Sequence, residues 1–321
     1  MDHVPFPQGV TPPTVLFVGS LYDGKPGSFA RYDVRKGMRN DMKTYSFVRV
    51  EPAVYQAFFQ TWLYFGCLAE VSNIISLPID ATRFVERTRN RAQMVTSASL
   101  NEYLDRWRAR EKGQTARGSR TAQRRQGRLD ELLRRIRKIL RGPLQAFRRF
   151  LAGLEVGAAA ALSIWTNIAL SIAALGYALQ QASDIIYGPP GGGSTRATWG
   201  VQWALRERLA GSHWCRALIA KFLAGQHVDF ALFVGSIPFP RRFERHDRCT
   251  DTICRGRIAN SEAYETVHVV KGCACKMWVM DGKAAEIVRA GGIPLATWSD
   301  EKGLRVVKYQ ADTAYVAISH V

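Results

Sequence analysis

Twenty-four consecutive residues, Val156–Leu179, have no charged side chain, and a chain must bury such a run either in its own core or in a bilayer. The run is long enough to span a membrane, and three arginines precede it as a positive-inside flank would: Arg141, Arg148 and Arg149. However, it is rich in alanine. Four polar residues fall within roughly 140° of one helical face: Ser163, Thr166, Asn167 and Ser171. A membrane helix needs no such face, so the sequence favours a helix buried in a soluble protein over a membrane span.

The positive charge of the chain is concentrated in one segment. The net charge is +18, and residues 104–150 hold sixteen Arg or Lys against four Asp or Glu, a local excess of twelve. Such a segment suits an acidic partner, either nucleic acid or an anionic membrane face. An apolar stripe within it predicts an amphipathic helix over 128–150: Leu129, Leu132, Leu133, Ile136, Ile139 and Leu140. The favoured interpretation packs this stripe into the core; the alternative places the helix on a membrane surface or an acidic partner.

The remaining periodicity predicts a mainly α fold. Five apolar residues at three- and four-residue spacing indicate a core helix over 51–75: Val54, Phe58, Trp62, Phe65 and Leu68. Pro52 suits the first turn of that helix. A further helix is predicted over 199–223. A strand is predicted over 228–237, which ends before Pro238.

Changes in composition predict the domain organisation. Residues 1–45 form a mostly irregular leader, and residues 46–187 form a helical region that contains the Arg-rich segment 104–150. A Gly/Pro linker is expected over 188–196, followed by a helix and a strand over 197–245. The chain then continues as a small α/β Cys/His module over 246–300 and a C-terminal strand stub within 301–321.

Five potential metal ligands lie within 27 residues, spaced C-x4-C-x13-H-x4-C-x-C: Cys249, Cys254, His268, Cys273 and Cys275. Zinc prefers four thiolate or imidazole ligands, so this spacing predicts one zinc site with one candidate to spare. His246 is a sixth, weaker candidate. A site closed by protein ligands would be structural. The alternative is a set of reduced, buried thiols around an ordinary histidine.

The two other cysteines, Cys67 and Cys215, have apolar and aromatic neighbours and are predicted to be core thiols. The first nineteen residues carry an aspartate and four prolines and lack an apolar signal region. We therefore expect a reducing, cytoplasmic location, with a membrane as the alternative.

The sequence lacks the GxxxxGK[ST] phosphate loop, the G-x-S-x-G elbow and the RNP pattern, and it lacks the spacing of a C2H2 finger. Three acids surrounded by arginine are expected to be paired at the surface rather than to act as a general acid and base: Asp105, Asp130 and Glu131. No complete catalytic constellation is visible, so we predict a protein that is not an enzyme.

The C-terminal residues Gly303–Tyr309 and Tyr315–Val321 resemble the opening of the fungal heterokaryon-incompatibility (HET) domain, which begins with a strand of the type Tyr-(Val/Ile)-Ala-(Leu/Ile)-Ser-(His/Tyr). Looser similarity to regions upstream of HET domains covers residues 59–66, 199–203, 214–215 and 268–275. Here the match stops before the Trp-Gly-like turn, so 301–321 is expected to be a truncated start of that domain. Ser319 and His320 are not expected to form a dyad, since adjacent side chains on a strand point to opposite faces.

The resemblance implies a role in fungal allorecognition, in which contact with non-self triggers growth arrest or cell death. Any nucleotide-directed activity of the domain would lie beyond the matched strand. The chain is therefore predicted to be a non-enzymatic regulatory or interaction region with a structural zinc site and an unidentified protein partner. Two alternatives remain: a membrane-associated protein anchored by 156–179, and a zinc-containing protein that binds nucleic acid through 104–150.

Overall fold

The computed structural model describes residues 1–4, 6, 10, 13–25, 27–114, 119–189, 199–211, 214–223, 228–237, 249–254, 282–299, 301 and 303–316. The chain divides into two compact units, Met1–Ile258 and Ala259–Val321. The predicted mainly α fold is confirmed: among the described residues, helices predominate and strands form two small sheets.

One long aromatic helix lies at the centre of the first unit. α3 (Pro52–Phe59), a π-helical turn (Gln60–Phe65) and α4 (Gly66–Ile75) follow one another without a break. Pro52 occupies the first turn, where its missing N–H leaves no helical hydrogen bond unmade. All six side chains of the π-helical turn are buried. The core helix predicted over 51–75 is therefore confirmed, but Val54, one of the five residues expected on its buried face, is 44% exposed.

The N-terminal residues are bound to this helix. They contain β1 (Val15–Leu16), a 3-10 turn (Phe29–Arg31), α1 (Tyr32–Arg35) and α2 (Arg39–Thr44). The buried amide of Gln60 donates to the Leu16 carbonyl (2.7 Å) and accepts from the N–H groups of Val18 (2.9 Å) and Gly19 (3.2 Å). The predicted leader 1–45 thus contains short elements and contributes buried side chains, including Val15 and Phe29, to the core.

A small antiparallel sheet takes one strand from the predicted leader and two from the region predicted to be helical. It joins β1, β3 (Gln93–Val95) and β2 (Val85–Arg87), in that spatial order, and a 3-10 turn at Ala81–Phe84 leads into β2. Val95 is aligned with Val15 on one side and with Val85 on the other. Strands of two or three residues give too few alternations for a period-two signal, which is why the sequence did not predict them.

Four helices build the main layer of the first unit: α5 (Leu100–Gln114), α6 (Arg120–Arg141), α7 (Pro143–Ala152) and α8 (Ala158–Tyr187). α6 begins earlier than predicted because Ser119 caps it, accepting from the Ala122 N–H with its hydroxyl. It ends at Arg141, with Gly142 as its C-cap, and Pro143 begins the next helix. The whole apolar stripe of α6 is buried, which confirms the favoured interpretation of that helix.

The uncharged run lies in α8. Among the described residues, α8 is the one helix long and apolar enough to cross a membrane, and 56% of its most apolar window is buried in the protein. Its Trp165 packs edge-on against Phe147 of α7, with ring centroids 4.8 Å apart. Two of its polar side chains bond within the protein: the Thr166 hydroxyl donates to Glu207, and the Ser171 hydroxyl donates to a carbonyl one turn earlier.

Two predictions for the end of the first unit are wrong. The single helix predicted over 199–223 is two helices, α9 (Gln202–Gly211) and α10 (Arg216–Leu223). The strand predicted over 228–237 is a helix, α11 (Val228–Ser236). Its buried residues follow helical i, i+3, i+4, i+7 spacing: Val228, Ala231, Leu232 and Gly235. A short apolar run is ambiguous from periodicity alone, and here packing of one helical face decides the structure.

The described part of the second unit contains α12 (Lys283–Arg289) and an antiparallel hairpin of β4 (Pro294–Ser299) and β5 (Gly303–Lys308). Ile287 and Val306 are its buried apolar residues in the described part. β5 lies inside the segment 301–321 predicted to hold a C-terminal strand, but Tyr315 and Val316, which resemble the first HET strand, are irregular and 60% and 87% exposed. Residues 317–321, with Ser319 and His320, lie outside the described residues.

Candidate metal centre

Three cysteine sulfurs converge in the first unit. The Sγ atoms of Cys215, Cys249 and Cys254 all lie within 4.8 Å of one another, which is close enough to bind one metal ion. Cys215 is 3% exposed, and the other two are half-buried. Three sulfurs at 2.3 Å from a tetrahedral zinc would be about 3.8 Å apart, so the cluster fits a single ion with small adjustments.

Cys215 is positioned by the start of α10. Its carbonyl accepts the first helical hydrogen bond, from the Ile219 N–H (2.9 Å). Burial raises the pKa of the Cys215 thiol and the adjacent Cys249 sulfur adds to the rise, while backbone N–H groups at Leu218 and Ala217 oppose it. A helix N-terminus favours an anionic sulfur, and metal coordination would overcome the effect of burial.

Cys249 and Cys254 are brought together by a turn. The Thr250 N–H donates to the Ile253 carbonyl (3.1 Å), and the Ile253 N–H donates to the Thr250 hydroxyl (3.0 Å). These two hydrogen bonds reverse the chain so that both sulfurs face Cys215. The predicted pairing of Cys249 with Cys254 is therefore seen in the structure.

The other predicted ligands, His268, Cys273 and Cys275, and the weaker candidate His246 lie outside the described residues. The division of the chain after Ile258 falls inside the predicted module 246–300, so the Cys249–Cys254 turn belongs to the helical unit.

Sequence reasoning missed Cys215 as a potential ligand. Cys215 was predicted to be a core thiol, and it is buried. However, its sulfur also lies close to those of Cys249 and Cys254, although Cys215 precedes Cys249 by 34 residues in the sequence. Cys67 behaves as predicted for a core thiol: it is 1% exposed within α4, and burial raises its pKa far above the ordinary range. The two cysteines differ in their place in the secondary structure. Cys215 lies at the start of a helix, whereas Cys67 lies inside one.

A second charged feature lies on α6. Seven of its basic side chains are exposed: Arg120, Arg124, Arg128, Arg134, Arg135, Lys138 and Arg141. At 100° per residue they occupy roughly 140° of the helix circumference, opposite the buried stripe, and extend about 31 Å along the axis. Glu131 is the one exposed acid on this face of the described helix, and it pairs with Arg134.

Comparison with known proteins does not place the chain in a family: no protein-family description, curated protein or solved structure matches it. The features of the described chain that bear on its function are therefore the cysteine cluster and the basic face of α6.

Proposed function

We propose that this chain is a non-enzymatic regulatory and interaction region of a HET-type allorecognition protein, and that a structural zinc ion stabilises it. The convergence of Cys215, Cys249 and Cys254 is the observation that supports the zinc site. The HET assignment is supported separately, by the resemblance of the C-terminal residues to the start of that domain.

The donor set favours zinc. Thiolates are soft ligands that suit Zn²⁺, whereas Mg²⁺ and Ca²⁺ prefer oxygen ligands. Zinc takes four ligands in a structural site, and the sequence offers His268, Cys273 and Cys275 as candidates for the fourth. Four protein ligands leave no open position for a reacting water, so the ion would act as a cross-link rather than a catalyst.

A cross-link is useful at this place in the fold. The described turn at 249–254 offers little apolar surface to the core, since Ile253 is 52% exposed. Binding it to Cys215 through one ion would close a loop between α10 and the turn, and metal binding of this kind contributes directly to folding free energy. The ion would thereby hold the end of the helical unit, which precedes the HET-like residues in the sequence.

The zinc site is tested by metal analysis of the purified chain. We expect about one zinc per chain and, after exchange with cobalt, the charge-transfer absorption of thiolate-bound cobalt. Cys215→Ser and Cys249→Ser should each lose most of the metal, and they should unfold at lower temperature than the wild type.

Cys67→Ala is the matched control, because Cys67 is as buried as Cys215 but is not one of the three clustered cysteines. This variant should keep its zinc even if it loses stability. A folded wild-type chain that contains no metal, and in which the half-buried Cys249 and Cys254 react with a thiol reagent, would overturn the zinc proposal.

The HET assignment has its own test, in the coding sequence. We expect the reading frame to continue after Val321 with a Trp-Gly-like turn and the rest of a HET domain. A frame that continues into unrelated sequence would refute this assignment and leave the zinc proposal intact.

The exposed face of α6 supports an additional role as a contact for a polyanion. Its apolar side is already used by the core, so the helix is not free to insert into a bilayer. A rigid row of cations of this length suits a nucleic-acid backbone.

A further inference from the structure

A cleft of about 380 Å³ opens between α4, α6 and the turn at residues 27–30. Its volume lies within the range of small-molecule sites. Phe29 and Ile74 line one part of it, and Leu132 lines another. The cleft lies in the first unit, and no residue of the cysteine cluster lines it.

Three arginines of α6 line the same cleft: Arg124, Arg128 and Arg135. Neither Arg124 nor Arg135 has a carboxylate partner among the described residues. Arg128 forms an ion pair with Glu70, but the 3.7 Å between its Nη2 and the carboxylate is too long for a hydrogen bond, so its N–H groups make no hydrogen bond to Glu70. The cleft therefore presents three guanidinium groups beside apolar side chains. It also contains two carboxylates, Glu70 and Glu131, and Glu131 is paired with Arg134 outside the cleft lining.

The carboxylate of Glu70 is a second kind of polar group in the cleft. It is only 8% exposed, and its Oε2 accepts one hydrogen bond, from the Gly27 N–H (2.9 Å). A carboxylate has about four acceptor positions, so Glu70 can also accept from a donor on a bound molecule.

Gly127 leaves the wall of the cleft open. It lies inside α6, where glycine costs about 1 kcal/mol relative to alanine. No packing requirement accounts for it, because a Cβ at this position would meet no atom within 4 Å. By contrast, Gly27 has φ +79°, so its backbone alone favours glycine. Because Gly127 lines the cleft together with the three arginines, a large side chain at 127 is expected to reduce the open volume of the cleft.

We propose that this cleft binds a small organic anion with an apolar, ring-sized body. The phosphate or carboxylate of the ligand would pair with Arg124, Arg128 and Arg135, which can form bidentate, charge-assisted hydrogen bonds. The apolar body would pack against Phe29 and Leu132.

The proposal is tested by calorimetric titration of the full chain with four probes: 1-naphthyl phosphate, 1-naphthoate, 1-naphthol and inorganic phosphate. Because the cleft combines an apolar wall with guanidinium groups, a probe with both a ring and an anion should bind at least tenfold more tightly than naphthol or phosphate alone. The order of the first two probes distinguishes a phosphate site from a carboxylate site.

Gly127→Leu should reduce the affinity for the better probe at least tenfold, because it fills the cleft without changing charge. Leucine is also a better helix former, so this variant should unfold at the same or a higher temperature than the wild type. Arg128→Gln should weaken binding, whereas Lys138→Gln should not, since Lys138 is exposed on the same helix but does not line the cleft. Undetectable binding of all four probes, or equal binding by Gly127→Leu and the wild type, would overturn the proposal.

Discussion

Two glycines inside long helices predict opposite effects of the same substitution. Gly127 in α6 faces open space, whereas Gly176 in α8 faces the indole ring of Trp199. Replacing either with alanine removes the flexibility of glycine and should contribute about 1 kcal/mol of stability through helix propensity. At Gly127 nothing opposes this gain, so we expect Gly127→Ala to stabilise the protein by that amount.

At Gly176 the packing term should exceed the gain. An added Cβ would fall inside the contact distance of three ring atoms of Trp199. The ring cannot move away freely, because it is 4% exposed and the Arg137 guanidinium covers it, 5.2 Å from the ring centroid. Overpacking of a core costs about 1–3 kcal/mol, so Gly176→Ala should be neutral or destabilising by up to about 2 kcal/mol.

The difference between the two variants isolates the packing cost, because the propensity gain cancels. Thermal unfolding followed by circular dichroism should place Gly127→Ala about 2–4 °C above the wild type and Gly176→Ala at or below it. Urea titrations should give the same order in free energy of unfolding. Equal shifts of the two variants, or a loss of stability in Gly127→Ala, would refute the reasoning from Cβ contacts.

Two further predictions concern charge. Burial lowers the pKa of His3 from 6.5 to about 4. Between these pH values the folded state therefore binds fewer protons than the unfolded state. The free energy of unfolding should fall as the pH drops through this window, by up to about 1.4 kcal/mol per pH unit. His3→Gln should flatten the pH dependence of the urea midpoint; an unchanged slope would contradict the assignment. On α6, a variant with glutamine in place of Arg120, Arg134 and Lys138 should bind a labelled DNA duplex more weakly than the wild type. The slope of the logarithm of its binding constant against the logarithm of the salt concentration should be smaller by about 0.9 per lost phosphate contact. Arg305→Gln, the control, should change neither. Absence of binding by the wild type at low salt would rule out the polyanion contact.

Helices with one continuous buried face could be predicted from the sequence. The apolar residues of the helix over 51–75 and of α6 each repeat at helical spacing. One side of α6 packs against the core, and the middle of the 51–75 helix is buried all round. α11 was not predicted because its exposed face also carries a large apolar residue, Phe230, which is 46% exposed. Its two faces therefore do not differ clearly in hydrophobicity. The run therefore looked like a short apolar strand, and only packing of the opposite side fixes it as a helix.

The metal centre was only half predictable. Cys249 and Cys254 are close in sequence, so a turn is enough to pair their sulfurs. Cys215 joins them through the tertiary path of the chain, and no spacing rule covers a ligand 34 positions away. Its place at the start of α10 depends on where the predicted 199–223 helix breaks, which the sequence alone did not show.

The side chain of Gln60 has a consequence for how the protein folds and opens. It holds three backbone groups of residues 16–19 that lie 41 to 44 positions away in the sequence. Contacts of such separation form after local helical ones, because the intervening chain must first be ordered. We therefore expect the N-terminal strand to dock late and to detach first, with amide hydrogen exchange at Val18 and Gly19 reporting an opening that leaves the helical unit intact.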